Sequence, residues 1–149
     1  MSRTKSIPGI NIQWPWSRLI VDGTKNVETR RYPIPSHYLD VPLAIIETPG
    51  PRGKSEGQVL KAQIIGIVCF KRSFRYSTVA EWRTDFQRHK VSADSQYRFD
   101  PKRETWGWEV KSVRKLAKPL PAPSKRGIVF TKSCKVSSGE RPSFPSPEL

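Results

Sequence analysis

Apolar positions recur along this chain with two periods. Residues 10–13 alternate Ile10 and Ile12 with Asn11 and Gln13, as a half-buried strand does. Pro15 suits the first position of a helix, and Trp16, Leu19 and Ile20 fall on one helical face. Gly23 suits the residue just past the helix end. Residues 25–30 predict a second strand with Val27 inward, and 41–47 is an apolar, β-branched run that reads as a buried strand. Residues 62–70 predict a fourth strand with Gly66 at a bulge. Ser77 and Thr78 precede an i, i+3, i+7 stripe of Val79, Trp82 and Phe86, which predicts a capped second helix. Residues 105–110 form a strand, 113–116 continue it or begin another, and 128–131 form the last. About six strands with two or three short helices, not alternating with them, predict a mixed α/β, β-rich domain built as a small β-barrel.

Composition bounds this domain. A chain of 149 residues suits one domain. Residues 1–9 are polar and basic, and 133–149 carry Ser137, Ser138 and Gly139 followed by Pro142, Pro145 and Pro147. Such segments do not offset their ordering entropy by burial. They predict a flexible arm over 1–9 and a flexible Pro/Ser-rich tail over 133–149, around a domain over 10–132. Residues 48–57, with two prolines and three glycines, predict a long exposed loop. No apolar run approaches the roughly 18–20 residues of a membrane span, and 1–10 lacks the apolar stretch of a secretory signal. Two cysteines, Cys69 and Cys134, without a CxxC, suit a reducing cytoplasm and offer no metal site. No cofactor motif is present, so none is expected.

Charge changes the picture most. The chain has 27 Lys+Arg against 13 Asp+Glu, a net charge of +14, which points to a polyanionic partner. No Asp or Glu occurs from residue 110 to 139, where Lys111, Arg114 and Lys115 open a basic run. Lys71, Arg72 and Arg75 mix with Phe70, Phe74 and Tyr76. Arg98, Lys102 and Arg103 mix with Tyr97 and Phe99. Basic residues interleaved with aromatics suit a single strand better than a smooth duplex.

The most specific stretch is residues 12–31, IQWPWSRLIVDGTKNVETRR, with the pattern G-x-K-x-x-E-x-R at Gly23, Lys25, Glu28 and Arg30. On a regular strand Glu28 and Arg30 share a face, and Lys25 points the other way unless the turn after Gly23 re-aims it. Such a ladder is either a surface ion-pair row of little energetic worth or a charged cluster at a cleft mouth. The stretch, with Gln13, Pro15 and Trp16 at its start, resembles the opening of ASCH domains of the PUA-like superfamily. IIGIV at 64–68, WGWEV at 106–110 and LAKPLP at 116–121 resemble later parts of the same domain.

The resemblance implies a PUA-like barrel with a cleft beside the first helix, binding nucleic acid, RNA before DNA, through a plain or modified base. It also implies an alternative, a hydrolase acting on N4-acetylcytidine or on RNA, with Lys25 and Glu28 as catalytic residues. The amidohydrolase branch has a threonine three residues after its lysine, where this chain has Glu28, so the nucleophile is missing. Glu81 or Asp85 would supply its acid. A neighbouring carboxylate favours the charged ammonium over the free base, which places binding ahead of catalysis.

Among the tryptophans, Trp82 reads as core, Trp16 as inward and Trp14 as the more exposed. Trp106 and Trp108 share a face across Gly107, either packed or as a stacking platform with one ring lining the pocket. The expected ligand-binding set is Trp16, Lys25, Glu28, Arg30, Arg31, Arg72, Arg75, Trp106, Trp108, Lys111, Arg114 and Lys115. His37 is isolated, His89 between Arg88 and Lys90 reads as surface, and Cys69 reads as a small buried hydrophobe. The expected partner is single-stranded or modified RNA, with DNA second, no membrane, and the protein a monomer or weak dimer.

Overall fold

The computed structural model describes residues 4–57, 59–123 and 129–137. Six strands, β1 (Thr4–Gln13), β2 (Val27–Arg30), β3 (Leu43–Thr48), β4 (Gln63–Tyr76), β5 (Thr105–Pro121) and β6 (Phe130–Ser137), form one sheet in the order β2-β5-β4-β3-β1-β6. β1 and β3 run parallel, and every other neighbouring pair is antiparallel. Four short helices accompany it: α1 (Trp16–Val21), α2 (Gly50–Gly53), α3 (Val79–Thr84) and α4 (Phe86–His89). A 3-10 turn covers Ser36–Tyr38.

β3 lies inside the sheet, and Leu43, Ala44, Ile45 and Ile46 are all buried. A strand covered on both faces reads as a continuous apolar run. On one face Leu43 and Ile45 join Ile10, Ile12, Phe70 and Trp108, with Ile20 and Val21 of α1 above them. On the other, Ala44 and Ile46 join Ile64, Cys134 and Val136. Buried Glu47 anchors α1 by accepting from Ser17 Oγ at 2.8 Å and from the Arg18 guanidinium at 3.1 Å. Gly66 is a close approach: a Cβ there would lie 2.4 Å from Val21 Cγ2 and 2.8 Å from the Arg114 carbonyl. The β4–β5 register shifts there, so the expected bulge is present.

α3 starts as its sequence predicts. Thr78 Oγ1 accepts from the Glu81 N–H at 3.1 Å, and the Glu81 carboxylate accepts from the Thr78 N–H at 3.3 Å, a reciprocal cap. Trp82 packs with Tyr76 and Val91 in a third cluster. The stripe does not continue to Phe86: α3 ends at Thr84, α4 begins afresh, and Phe86 is exposed.

Several expectations need correction. The sheet is curled but not closed into a barrel: among the described residues β2 pairs with β5 alone and β6 with β1 alone. Side chains span the gap instead. The Arg30 guanidinium donates to the Asn11 carbonyl of β1 at 2.9 Å, and Trp108 of β5 stacks on Phe130 of β6 with centroids 6.0 Å apart. Among the described residues the helices number four rather than two or three. The expected loop over 48–57 contains α2, whose Gly53 is buried against Pro49, Trp14 and Val59.

The strands also outrun their apolar cores. β4 has 14 residues and β5 has 17, so 105–110 and 113–116 are one strand. Strand pairing likewise claims much of the expected arm and tail. Thr4–Ile7 pairs with Cys134–Ser137, because a ladder is made by backbone groups and tolerates polar side chains on its open face. Residues 1–3 and 138–149 lie outside the described residues. Cys69 is half-buried, whereas Cys134 is buried. Among the described residues no helix is long and apolar enough to cross a membrane.

Trp108 is 0% exposed, edge-on to Phe70 at 5.7 Å, and its Nε1 donates to the Tyr32 carbonyl at 2.9 Å. Trp108→Ala should lower unfolding stability by about 3–5 kcal/mol, read as a shift of the urea midpoint at unchanged slope.

Candidate functional site

The turn after α1 decides where the site's lysine goes. Gly23 takes φ +82°, a left-handed conformation that glycine adopts without strain, and the N–H groups of Thr24 and Lys25 both donate to the Leu19 carbonyl at 3.0 Å. Lys25 is therefore fixed before β2 begins and does not follow the strand's alternation. Its side chain turns inward and is 1% exposed.

Within this pocket Lys25 Nζ donates to the His89 carbonyl at 2.5 Å and lies 3.7 Å from Glu28 Oε1. The ammonium also sits 5.2 Å from the Trp16 ring centroid. Glu28 Oε2 accepts from Arg30 Nε at 3.0 Å, and the Arg30 guanidinium lies over Trp108 at 5.5 Å. Glu28 and Arg30 share one face of β2, as alternation requires, opposite Trp108 and Trp106 of β5. The three charges sum to one positive. Burial is the largest influence on Lys25 and lowers its pKa to about 8, with Glu28 pulling the other way and Arg30 adding to the fall.

These residues line a cavity of about 240 Å³ with Asn11, Gln13, Thr29, Thr48, Val91 and Tyr97. Trp16, Lys25, Glu28 and Arg30 are thus brought together. Arg31 lies next door, its guanidinium donating to Thr105 Oγ1 at 2.8 Å and to the Arg98 carbonyl at 3.0 Å. Trp108 corrects the expected stacking platform: it is fully buried, because its ring fills the curl of the sheet between Phe70 and Phe130. Trp106 is half-buried, with Nε1 donating to Glu104 at 2.7 Å, and neither ring lines the Lys25 cavity.

The other expected cations lie away from that cavity. Arg72 donates to Glu109 at 2.6 Å, Lys111 to Asp40 at 2.9 Å, and Lys115 stands 4.0 Å from Asp22. Arg114 is exposed. Arg75 lines a different cavity with Arg103 and Phe99. Glu81 is committed to the α3 cap, and Asp85 accepts from Arg88 and from the Tyr76 hydroxyl, so neither acid reaches Lys25.

His89 was expected at the surface and is fully buried. Its ring stacks on Trp82 at 4.8 Å. Nδ1 accepts from the Val91 N–H at 2.9 Å, so the proton sits on Nε2 and is donated to the Trp82 carbonyl at 2.6 Å. Burial lowers its pKa and keeps it neutral. No local periodicity carried this, because Trp82 and His89 lie on separate helices, α3 and α4, and the turn between them brings the rings together. Tyr97 and Asn11 join the cavity through long-range contacts that no local pattern announces.

With this geometry described, comparison with solved structures identifies the architecture. The crystal structure of ASCH from Zymomonas mobilis superposes with a TM-score of 0.60 at 17% identity, over 84% of this chain and 85% of that one. Two single-residue mutants of that protein give 0.61 at 18% identity, covering 84% and 86%, and 0.62 at 17%, covering 84% and 88%. The chain therefore has the fold of these ASCH structures, a β-rich mixed fold. No protein-family model matches it, and no curated protein does.

Lys25 titrates below its ordinary value, so the folded state carries its charge at a cost that is relieved as pH rises. Its contribution is most favourable above about 10.5 and is lost as pH falls through about 8. The stability of the wild type relative to Lys25→Met should climb between those two pH values and be flat on either side. Paired urea titrations across pH 7 to 11 measure it, with the other alkaline groups cancelling in the difference.

Proposed function

We propose that this chain binds nucleic acid, RNA before DNA, with one base entering the cavity beside Lys25. The observation that carries this is the buried Lys25–Glu28–Arg30 cluster lining a cavity in an ASCH-fold chain of net charge +14. A nucleobase presents a flat face and an edge of donors and acceptors. Trp16 offers an apolar wall, Glu28 accepts from an exocyclic amine, Lys25 donates to a ring carbonyl, and Arg30 donates to a ring carbonyl or phosphate. A volume below the roughly 300–1,000 Å³ of drug-sized pockets suits a single base. The exposed cations outside hold the backbone, and two free cysteines are in keeping with action in a reducing cytoplasm.

A second reading, a hydrolase on a modified nucleoside or on RNA, draws support from one observation: burial brings Lys25 to about 8, within reach of general-base work. Glu28 stands where a nucleophilic threonine would be needed.

Fluorescence anisotropy with labelled single-stranded RNA and DNA tests the first reading. For about four phosphate contacts, affinity should drop about 50-fold between about 50 and 200 mM salt. Lys25→Met should weaken binding without changing that salt slope, and affinity indifferent to salt contradicts phosphate-led binding. Incubation with N4-acetylcytidine and with labelled RNA tests the second. Deacetylation or cleavage that disappears in Lys25→Ala establishes the hydrolase, and no turnover alongside intact binding removes it.

A further inference from the structure

The cavity beside Lys25 has a neighbour. Thr29, Arg30 and Tyr97 also border a second cavity of about 170 Å³, completed by Arg31, Tyr32 and Thr105. The two cavities therefore adjoin, sharing these three lining residues. The two chambers differ in charge: the first contains the Glu28 carboxylate, whereas the lining of the second has two arginines and no acid. Of the two arginines, Arg30 is paired with the Glu28 carboxylate at 2.9 Å, whereas the charges acting on Arg31, Arg103 and Asp100, pair with each other at 3.5 Å.

A carboxylate among cations reads a base edge, which offers donors as well as acceptors. Cations without a carboxylate suit a phosphate, which offers only acceptors. Arg31 is held in place by its bonds to Thr105 and the Arg98 carbonyl, which occupy two of its five N–H donors and leave three. Tyr32 and Tyr97 are both exposed at about two-fifths of their surface, although aromatic rings gain most from burial. Tyr97 lies in a segment without helix or strand, where its hydroxyl donates to Gln13 Oε1 at 3.0 Å beside the first cavity.

We infer that the second cavity is a subsite for the nucleotide adjoining the one read beside Lys25. Its base stacks on the tyrosine rings, and the phosphate joining the two nucleotides lies between Arg30 and Arg31. This rests on the nucleic-acid reading above and narrows it: the ligand is a strand of at least two nucleotides, not a free nucleoside. Tyr97 serves both chambers, as the partition between two successive bases.

The test compares ribonucleosides, their 5′-monophosphates, dinucleoside monophosphates and a single-stranded RNA 10-mer by calorimetry at low salt. A dinucleoside monophosphate should bind about tenfold more tightly than a mononucleotide, as one added stacked base allows. Tyr97→Ala, an exposed position, should erase that gain, Tyr97→Phe should keep it, and Arg31→Ala should reduce it. Equal affinity for mono- and dinucleotides overturns the subsite, as does a gain unchanged in Tyr97→Ala and Arg31→Ala. If the 10-mer binds and responds to Lys25→Met but not to these two changes, the subsite alone fails. If no nucleic acid binds, the underlying reading fails and the subsite falls with it.

Discussion

An ammonium taken out of water costs several kcal/mol unless partners meet it, and Lys25 is buried almost completely. Its partners come from separate parts of the chain. The His89 carbonyl closes α4, and Glu28 opens β2. Arg30, paired with Glu28, reaches across to the Asn11 carbonyl of β1. Satisfying one lysine thus draws together the turn after α1, the end of α4, the edge strand β2 and the strand β1. That is also how a sheet open between β2 and β6 is held curled: side-chain bonds do at this point what a backbone ladder does in a closed barrel.

The same arrangement separates two roles that the net charge merges. Cations on β4 and β5 are exposed or engaged in solvent-facing pairs such as Lys111–Asp40, where partners contribute little. The cluster at Lys25 is held rigidly, shielded from water and balanced by an acid. In the proposed reading, charges of the first kind supply salt-sensitive attraction. Those of the second kind act at short range, where burial strengthens each contact and geometry discriminates between ligands. A neutral His89 locked on Trp82 keeps the carbonyl that orients Lys25 in place.

Much of this was legible wherever neighbours in sequence decide the outcome. The Thr78 cap, the Gly23 stop, the Gly66 bulge and the shared face of Glu28 and Arg30 all follow from local geometry, and all are present. Ambiguity arose where a residue's environment is supplied from far away. Trp106 and Trp108 share a strand face, yet only Trp108 is sealed, because Phe130 arrives from β6. His89 looked solvated between Arg88 and Lys90, but α4 turns it onto Trp82. The polar chain ends looked unable to fold, but Thr4–Ile7 and Cys134–Ser137 pair through their backbones while Ile7, Cys134 and Val136 pack onto Ala44, Ile46 and Ile64.

By itself the sequence determined that a lysine, a glutamate and an arginine would stand within one turn and one short strand, at the end of a helix that must stop at Gly23. Periods of 2 and 3.6 and the conformational freedom of glycine are properties of a few adjacent residues, and they survive any tertiary context. Only the tertiary structure decided that Lys25 and Glu28 would be buried with Arg30 half-buried beside them, that Lys25 would face inward, and that Tyr97 would border two cavities. Those outcomes depend on contacts between residues far apart in the chain, such as Lys25 with His89, 64 positions on, and Gln13 with Tyr97, 84 positions on. Contacts of that kind form only when burial of the whole core offsets the loop-closure entropy of bringing them together, and no local pattern records that balance.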